Sequence, residues 1–157
     1  MAIPSLRSIQ VASSAGAPMA SVSSCRAIPA LGLDGDRYAT KAGTWSSWPK
    51  DHEITLIEFE VRNILIAAGI DLEITHLRRN LVTENMRLNP LVGQRFSIGD
   101  VLLQGTRLCE PCAYLEKLLG KPSLVRLLAG RGGLRAVILH EGIIREGDPV
   151  CLPSLPV

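Results

Sequence analysis

Two cysteines separated by two residues, Cys109 and Cys112, are the side chains of this sequence best suited to covalent chemistry. They stand between an apolar alternating segment and a short amphipathic segment that predicts a helix. A thiol beside a helix N-terminus is favoured as the thiolate, because unpaired backbone N–H groups and the helix dipole stabilise negative charge there. The thiolate is the form that attacks electrophiles and binds metals, so this pair is the first candidate for a reactive site.

The residues alone leave three interpretations of the cysteine pair. A thioredoxin-like redox pair requires a βαβ context, whereas the surrounding pattern predicts antiparallel strands. A zinc site requires about four ligands, so the further ligands would have to be brought in by folding. The third interpretation is structural, with both thiols packed as small apolar side chains. The side chains that could complete a zinc site are Cys25, Cys151, His52, His76 and His140.

Arginine occurs in three turn segments, residues 35–37, 78–80 and 131–136, beside glycine or at the mouth of a strand. The whole chain contains 13 Arg and 4 Lys. The guanidinium fork matches carboxylate and phosphate oxygens, and neighbouring glycines let backbone N–H groups approach an anion closely. These segments therefore predict anion recognition, with ordinary solvated or salt-bridged arginine as the alternative. The candidate binding residues are Asp36, Arg37, Arg79, Asn80, Arg131 and Arg135.

Composition narrows the class of protein. The 157 residues carry a net charge of +2, from 17 basic and 15 acidic side chains, which gives no basis for a nucleic-acid or membrane surface. Four cysteines are too few for a secreted disulfide scaffold, and no apolar run is long enough to span a bilayer. The N-terminal region lacks the unbroken apolar core of a signal peptide. A cytoplasmic protein is therefore expected.

Apolar patterning predicts many short strands and few helices. The strongest signal is residues 96–106, which alternate on either side of a Gly-Asp turn. The prediction is one α+β domain over residues 1–157, predominantly β, with its core at about 6–152, forming a partly closed barrel with a few short helices. Strands are predicted at 6–11, 77–83, 134–139 and 150–152, helices at 113–119 and 123–129, and an apolar segment turning helical over 54–69. A surface hairpin or loop is predicted at 13–24, a turn at 30–37, and a loop holding Trp45 and Trp48 at 41–51.

Read in order, a set of short motifs resembles the MOSC domain, the C-terminal domain of molybdenum cofactor sulfurases. The resemblance extends from about Leu6 to Leu152, and its specificity comes from the number and order of the motifs. These are residues 32–38 (GLDGDRY), 54–58 (ITLIE), 78–82 (RRNLV), 93–99 (GQRFSIG), 109–112 (CEPC), 131–136 (RGGLRA) and 147–148 (GD).

The resemblance implies a β-barrel-like fold with one reactive cysteine, which matches Cys112, and a supporting role for Cys109. It implies a standalone bacterial-type protein that carries sulfur as a persulfide on Cys112 or binds molybdenum cofactor, with Cys112 as the metal ligand and the arginines around the cofactor's phosphate. It further implies a cysteine desulfurase or a separate reductase as partner, and alternatively reduction of N-hydroxylated compounds. A zinc- or anion-binding module without catalysis is the remaining alternative. No desulfurase module is present, so pyridoxal phosphate is not expected in this chain.

Overall fold

A strongly curled sheet of eight strands forms most of the protein. The computed structural model describes residues 2–40, 53–111 and 113–153. Its strands are β1 (Ser5–Val11), β2 (Ala20–Val22), β3 (Ser24–Ile28), β4 (Gly32–Leu33), β5 (Ile54–Glu58), β6 (Leu81–Glu84), β7 (Arg95–Ile98), β8 (Val101–Leu108), β9 (Leu134–Ile138), β10 (Gly142–Arg145) and β11 (Val150–Cys151). Its helices are α1 (Val61–Ala67), α2 (Ala113–Leu119) and α3 (Leu124–Leu128), with 3₁₀ turns at Ile74–Leu77 and Asn89–Leu91.

The large sheet has the strand order β11-β7-β8-β9-β5-β6-β1-β2, and β3, β4 and β10 form a second, three-stranded sheet. Neighbouring strands of the large sheet are antiparallel except β5 and β6, which are parallel and are connected through α1. The curl brings the start of β1 back to the segment before β11. Leu6 N–H donates to the carbonyl of Asp148 at 2.8 Å, and Val150 N–H donates to that of Pro4 at 3.0 Å. This near-closure confirms the predicted β-rich, partly closed barrel.

Alternation along the strands separates two apolar cores. On β9, Leu134, Ala136 and Ile138 are buried in the barrel interior, while the residues between them point to the opposite face. Phe96 of β7 is completely buried in the same interior core. A second core fills the space between the outer face of the sheet and the helices; its members include Ile57, Leu65, Val82, Leu115, Leu124 and Leu128.

The strongest sequence patterns correspond to observed elements. The alternating segment at 96–106 forms β7 and β8 around a Gly99-Asp100 turn, and the helix predicted at 113–119 is α2. The strand predicted at 77–83 begins only at Leu81, because a 3₁₀ turn precedes it and Arg78 adopts a left-handed backbone with φ 59°. The predicted loop at 41–51, with Trp45 and Trp48, lies outside the described residues. Within the described ranges, no helix is both long enough and apolar enough to cross a bilayer.

Candidate functional site

The register of four neighbouring strands positions the cysteine segment. Leu108, Leu134, Leu56 and Leu81 are paired in one row across β8, β9, β5 and β6. Because β8 and β9 are antiparallel, the residue after Leu108 lies beside the residue before Leu134. Cys109 N–H accordingly donates to the carbonyl of Gly133 at 2.8 Å. The candidate cysteine segment, described over residues 109–111, and the candidate segment at 131–136 therefore meet at one end of the sheet.

The turn at Cys109–Pro111, called the cysteine turn, packs directly on the loop at 129–133 between α3 and β9, called the glycine loop. Cys109 is buried, and Glu110 Oε2 accepts a hydrogen bond from Gly130 N–H at 3.1 Å. A Cβ added to Gly132 would lie 2.2 Å from the Cys109 carbonyl oxygen and 2.8 Å from Pro111 Cδ. Glycine is therefore required at position 132 for this close approach.

Arg79 bridges these two segments through backbone carbonyl groups. Its Nε donates to Gly132 O at 2.8 Å, Nη1 donates to Leu77 O at 3.3 Å and Nη2 donates to Cys109 O at 3.4 Å. The segment at 78–80 thus joins the cysteine turn and the glycine loop, and each nitrogen of the half-buried guanidinium has a protein acceptor.

Asp36 and Arg37 form a buried ion pair beside this junction. Asp36 is fully buried and accepts hydrogen bonds from Ala12 N–H at 3.0 Å and Tyr38 N–H at 3.3 Å. Its Oδ1 lies 3.1 Å from Arg37 Nη1, and Arg37 Nη2 donates to the carbonyl of Arg78 at 3.3 Å. The carboxylate therefore anchors the turn and orients the Arg37 guanidinium, which also lies 4.5 Å from the centre of the Tyr38 ring.

Arg78 lies in a segment that predicts anion recognition, but it is not among the candidate binding residues named from the sequence. Burial lowers the pKa of its guanidinium, and the positive charge of Arg37 lowers it further, whereas Tyr114 and Tyr38 act in the opposite direction. Its Nη1 donates to Ala17 O, but its buried Nη2 has no hydrogen-bond partner among the described residues. Arg78 thus combines burial, a positively charged neighbour in Arg37 and a buried donor without a partner among the described residues. This arrangement suits an anion.

Asn80, Arg131 and Arg135 occupy different surroundings. Asn80 is fully buried. Its Oδ1 accepts hydrogen bonds from the N–H and the hydroxyl of Thr55 at 3.1 and 3.2 Å, and its Nδ2 donates to Gln10 O at 3.2 Å. The side chain therefore connects β1, β5 and the start of β6. Arg135 is half-buried and is paired in register with Thr55, on the face opposite the barrel interior. Arg131 is exposed in the loop after α3. The binding roles assigned to these three residues stay predictions.

Two of the sequence-selected residues, Cys112 and His52, lie outside the described residues. The other thiols are separated: Cys25 is on β3 of the small sheet, Cys109 is in the turn, and Cys151 is exposed on β11; these three thiols are free. Within residues 2–40, 53–111 and 113–153, no three His, Cys, Asp or Glu side chains gather to hold a metal ion.

Comparisons with known proteins agree with this architecture. The YUAD protein from Bacillus subtilis superimposes with a TM-score of 0.78 over 94% of both chains, at 16% identity. YiiM from Geobacillus stearothermophilus has a TM-score of 0.74 at 16% identity, over 96% of this chain and 75% of its own. YiiM from Escherichia coli has a TM-score of 0.68 at 17% identity, over 96% and 70%. At such identities these likenesses show the fold. No curated protein sequence matches the chain significantly.

The family comparison covers the segments that build the site. The sequence model of the MOSC domain matches residues 50–151, which include Arg79, the cysteine turn and the glycine loop. The expected resemblance is thereby confirmed over most of the chain, and this protein belongs to the MOSC domain family.

Proposed function

We propose that this protein carries sulfane sulfur as a persulfide on Cys112, beside an anion-binding site formed by Arg37 and Arg78. The observation that supports the proposal is the convergence of the cysteine turn with the arginine segments. Arg79 contacts Cys109 O, Arg37 contacts Arg78 O, and Cys109 N–H contacts Gly133 O. A carrier cysteine needs positive charge nearby, because both its thiolate and its persulfide are anions at neutral pH.

The proposed reaction is a redox-neutral sulfur transfer. The Cys112 thiolate attacks the outer sulfur of a donor's cysteine persulfide, and a new S–S bond forms on Cys112. The donor's S–S bond breaks, and its electron pair leaves with the donor cysteine as a thiolate. Positive charge near the cysteine, which Arg37 and Arg78 would supply, would favour the ionised attacking thiol and the anionic product. A cysteine desulfurase is the class of protein that supplies such a donor.

Molybdenum cofactor binding is the second candidate, and the Arg37–Arg78 pair favours it. The buried Nη2 of Arg78, which has no partner among residues 2–40, 53–111 and 113–153, and the positive charge of the two arginines suit the phosphate group of a molybdopterin. A cysteine thiolate is a soft ligand of the kind that metal–sulfur centres use, which would assign Cys112 to the metal. When bound, the cofactor would supply two-electron redox chemistry for the reduction of N-hydroxylated compounds. This chain's own residues would bind the phosphate and orient the group.

The sulfur-carrier proposal is tested by loading the intact protein. Incubation with a cysteine desulfurase and cysteine should add one sulfur atom to the intact mass, and a reductant should remove it. Cys112→Ser should abolish the adduct, while Cys109→Ser, the matched control in the same turn, should retain it. An adduct that survives in Cys112→Ser would assign the sulfur to another thiol and overturn the proposal.

The cofactor candidate is tested by the metal content of protein expressed in a host that makes molybdenum cofactor. Near-stoichiometric molybdenum that is lost in Arg78→Met would support it. Absence of molybdenum in the wild-type protein, with sulfur loading intact, would contradict the cofactor candidate and leave only the carrier function.

A further inference from the structure

The Arg79 guanidinium makes three hydrogen bonds to backbone carbonyls. Their acceptors are Leu77 O before β6, Cys109 O in the cysteine turn and Gly132 O in the loop after α3. Leu77 and Cys109 are buried, and Gly132 lies in close contact with the turn. A single side chain therefore fixes three segments that are distant in sequence.

The Cys109 peptide is held on both sides. Its N–H donates to Gly133 O at 2.8 Å, and its carbonyl accepts from Arg79 Nη2 at 3.4 Å. Without the guanidinium, the carbonyl oxygens of Cys109 and Gly132, two buried residues, lose a charged donor. The turn would then be anchored on one side only and would open locally.

We propose that Arg79 is a positioning residue that fixes the backbone of the Cys109–Pro111 turn and thereby the presentation of Cys112. The part concerning Cys112 rests on the proposed function. This role differs from the cofactor contact expected of Arg79 from the sequence, because its nitrogens already point at protein carbonyls. The planar fork is essential to the role. A lysine ammonium is a point charge on a flexible stem and cannot span three acceptors.

The test measures local opening of the turn in the full-length protein. Alkylation of Cys109 is followed by mass spectrometry in wild type, Arg79→Lys and Arg79→Gln, with Cys25 in the small sheet as the internal reference. Both variants should raise the Cys109 rate at least about tenfold, which corresponds to about 1.4 kcal/mol of opening free energy. The Cys25 rate and the urea midpoint should change little. Arg62→Lys, a substitution of a partly buried arginine in α1, should change neither rate.

Equal retention of Cys109 protection in both Arg79 variants would overturn the inference. A parallel rise at Cys109 and Cys25 would also overturn it, because the residue would then merely stabilise the fold. Protection that is lost in Gln but retained in Lys would show that charge matters rather than the fork, and would equally contradict it.

Sulfur loading provides the functional measurement. At saturating donor, the loading rate of Arg79→Lys should fall about tenfold while the donor concentration for half-maximal rate stays unchanged, because the donor surface is intact. If wild-type protein never accepts sulfur but Arg79→Lys still exposes Cys109, the proposed function fails and the positioning of the turn stands. If wild-type protein loads and Cys109 protection is unaffected by the substitution, the positioning role fails alone.

Discussion

The contact between Gly132 and the cysteine turn allows the position of the turn to be tested separately from stability. In Gly132→Ala the new Cβ would lie 2.2 Å from Cys109 O and 2.8 Å from Pro111 Cδ. Ordinary contacts begin near 3.5 Å, so the turn must move by on the order of 1 Å. Overpacking of this kind costs about 1–3 kcal/mol of unfolding free energy. A displacement of a reactive group by that distance costs about 100-fold in rate.

Gly130→Ala is the matched control in the same loop. Gly130 has φ +72° and nothing within 4 Å of an added Cβ, so alanine there brings backbone strain of about 1–2 kcal/mol without pressing on the turn. Both variants should therefore lose comparable stability in urea unfolding, and only Gly132→Ala should slow sulfur loading of Cys112, measured by time-resolved intact mass. Equal loading rates in the two variants would refute the reasoning that the backbone of this turn sets reactivity.

Three further predictions concern charge. Asp36→Ala removes the carboxylate that pairs with the buried Arg37 and should lower the free energy of unfolding by about 3–5 kcal/mol. The control, Asp71→Ala, removes an exposed carboxylate and should cost less than about 1 kcal/mol. Similar losses in urea unfolding of the two variants would contradict the buried pairing. Burial and then Asp34 raise the pKa of the Cys25 thiol, so the pH midpoint of its alkylation should fall in Asp34→Asn, and an unchanged midpoint would exclude that charge as a cause. Burial raises the pKa of Glu58, so its protonated form favours the folded state and stability is lost as pH rises through and above its ordinary value. Replacing Glu58 by Gln should therefore improve stability more at neutral than at acidic pH, as measured by urea unfolding at each pH.

The strands that the sequence predicts are those whose residues alternate over a long stretch. β9 and the first five residues of β8 carry buried residues at every second position, which is a local signal. The strands that the patterns do not predict, β3, β4 and β10, are short and form the small sheet, whereas β2 lies at the edge of the large sheet within the segment predicted as a hairpin or loop. β10 pairs with β3, for example Gly142 with Ala27, and the two strands are more than a hundred residues apart in the sequence. A local sequence pattern therefore does not predict this pairing.

The site is predicted in its parts but not in its assembly. Glycine and arginine beside strand ends identify the segments around Arg37, Arg79 and Gly132. Their convergence depends on the register of β8, β9, β5 and β6, which is a tertiary property. Asn80 is an example. An amide beside two arginines in the sequence suggests a ligand contact, whereas the structure shows its side chain hydrogen-bonded to Thr55 and Gln10, which connects three strands.

Arg78 and Arg79 show why residue type alone does not assign a binding role. A guanidinium group donates to backbone carbonyls and to phosphate oxygens with the same N–H groups, so the sequence does not distinguish the roles of two neighbouring arginines. The backbone at Arg78 is left-handed, with φ 59°, and the two side chains have different partners: Arg79 contacts the carbonyls of the cysteine turn, whereas Arg78 contacts Ala17 O and has one buried nitrogen without a partner among the described residues. Of the two, Arg78 is therefore the better candidate for an anion contact, because burial and the charge of Arg37 lower the pKa of its guanidinium. The donors of Arg79 are used by carbonyl acceptors of the protein.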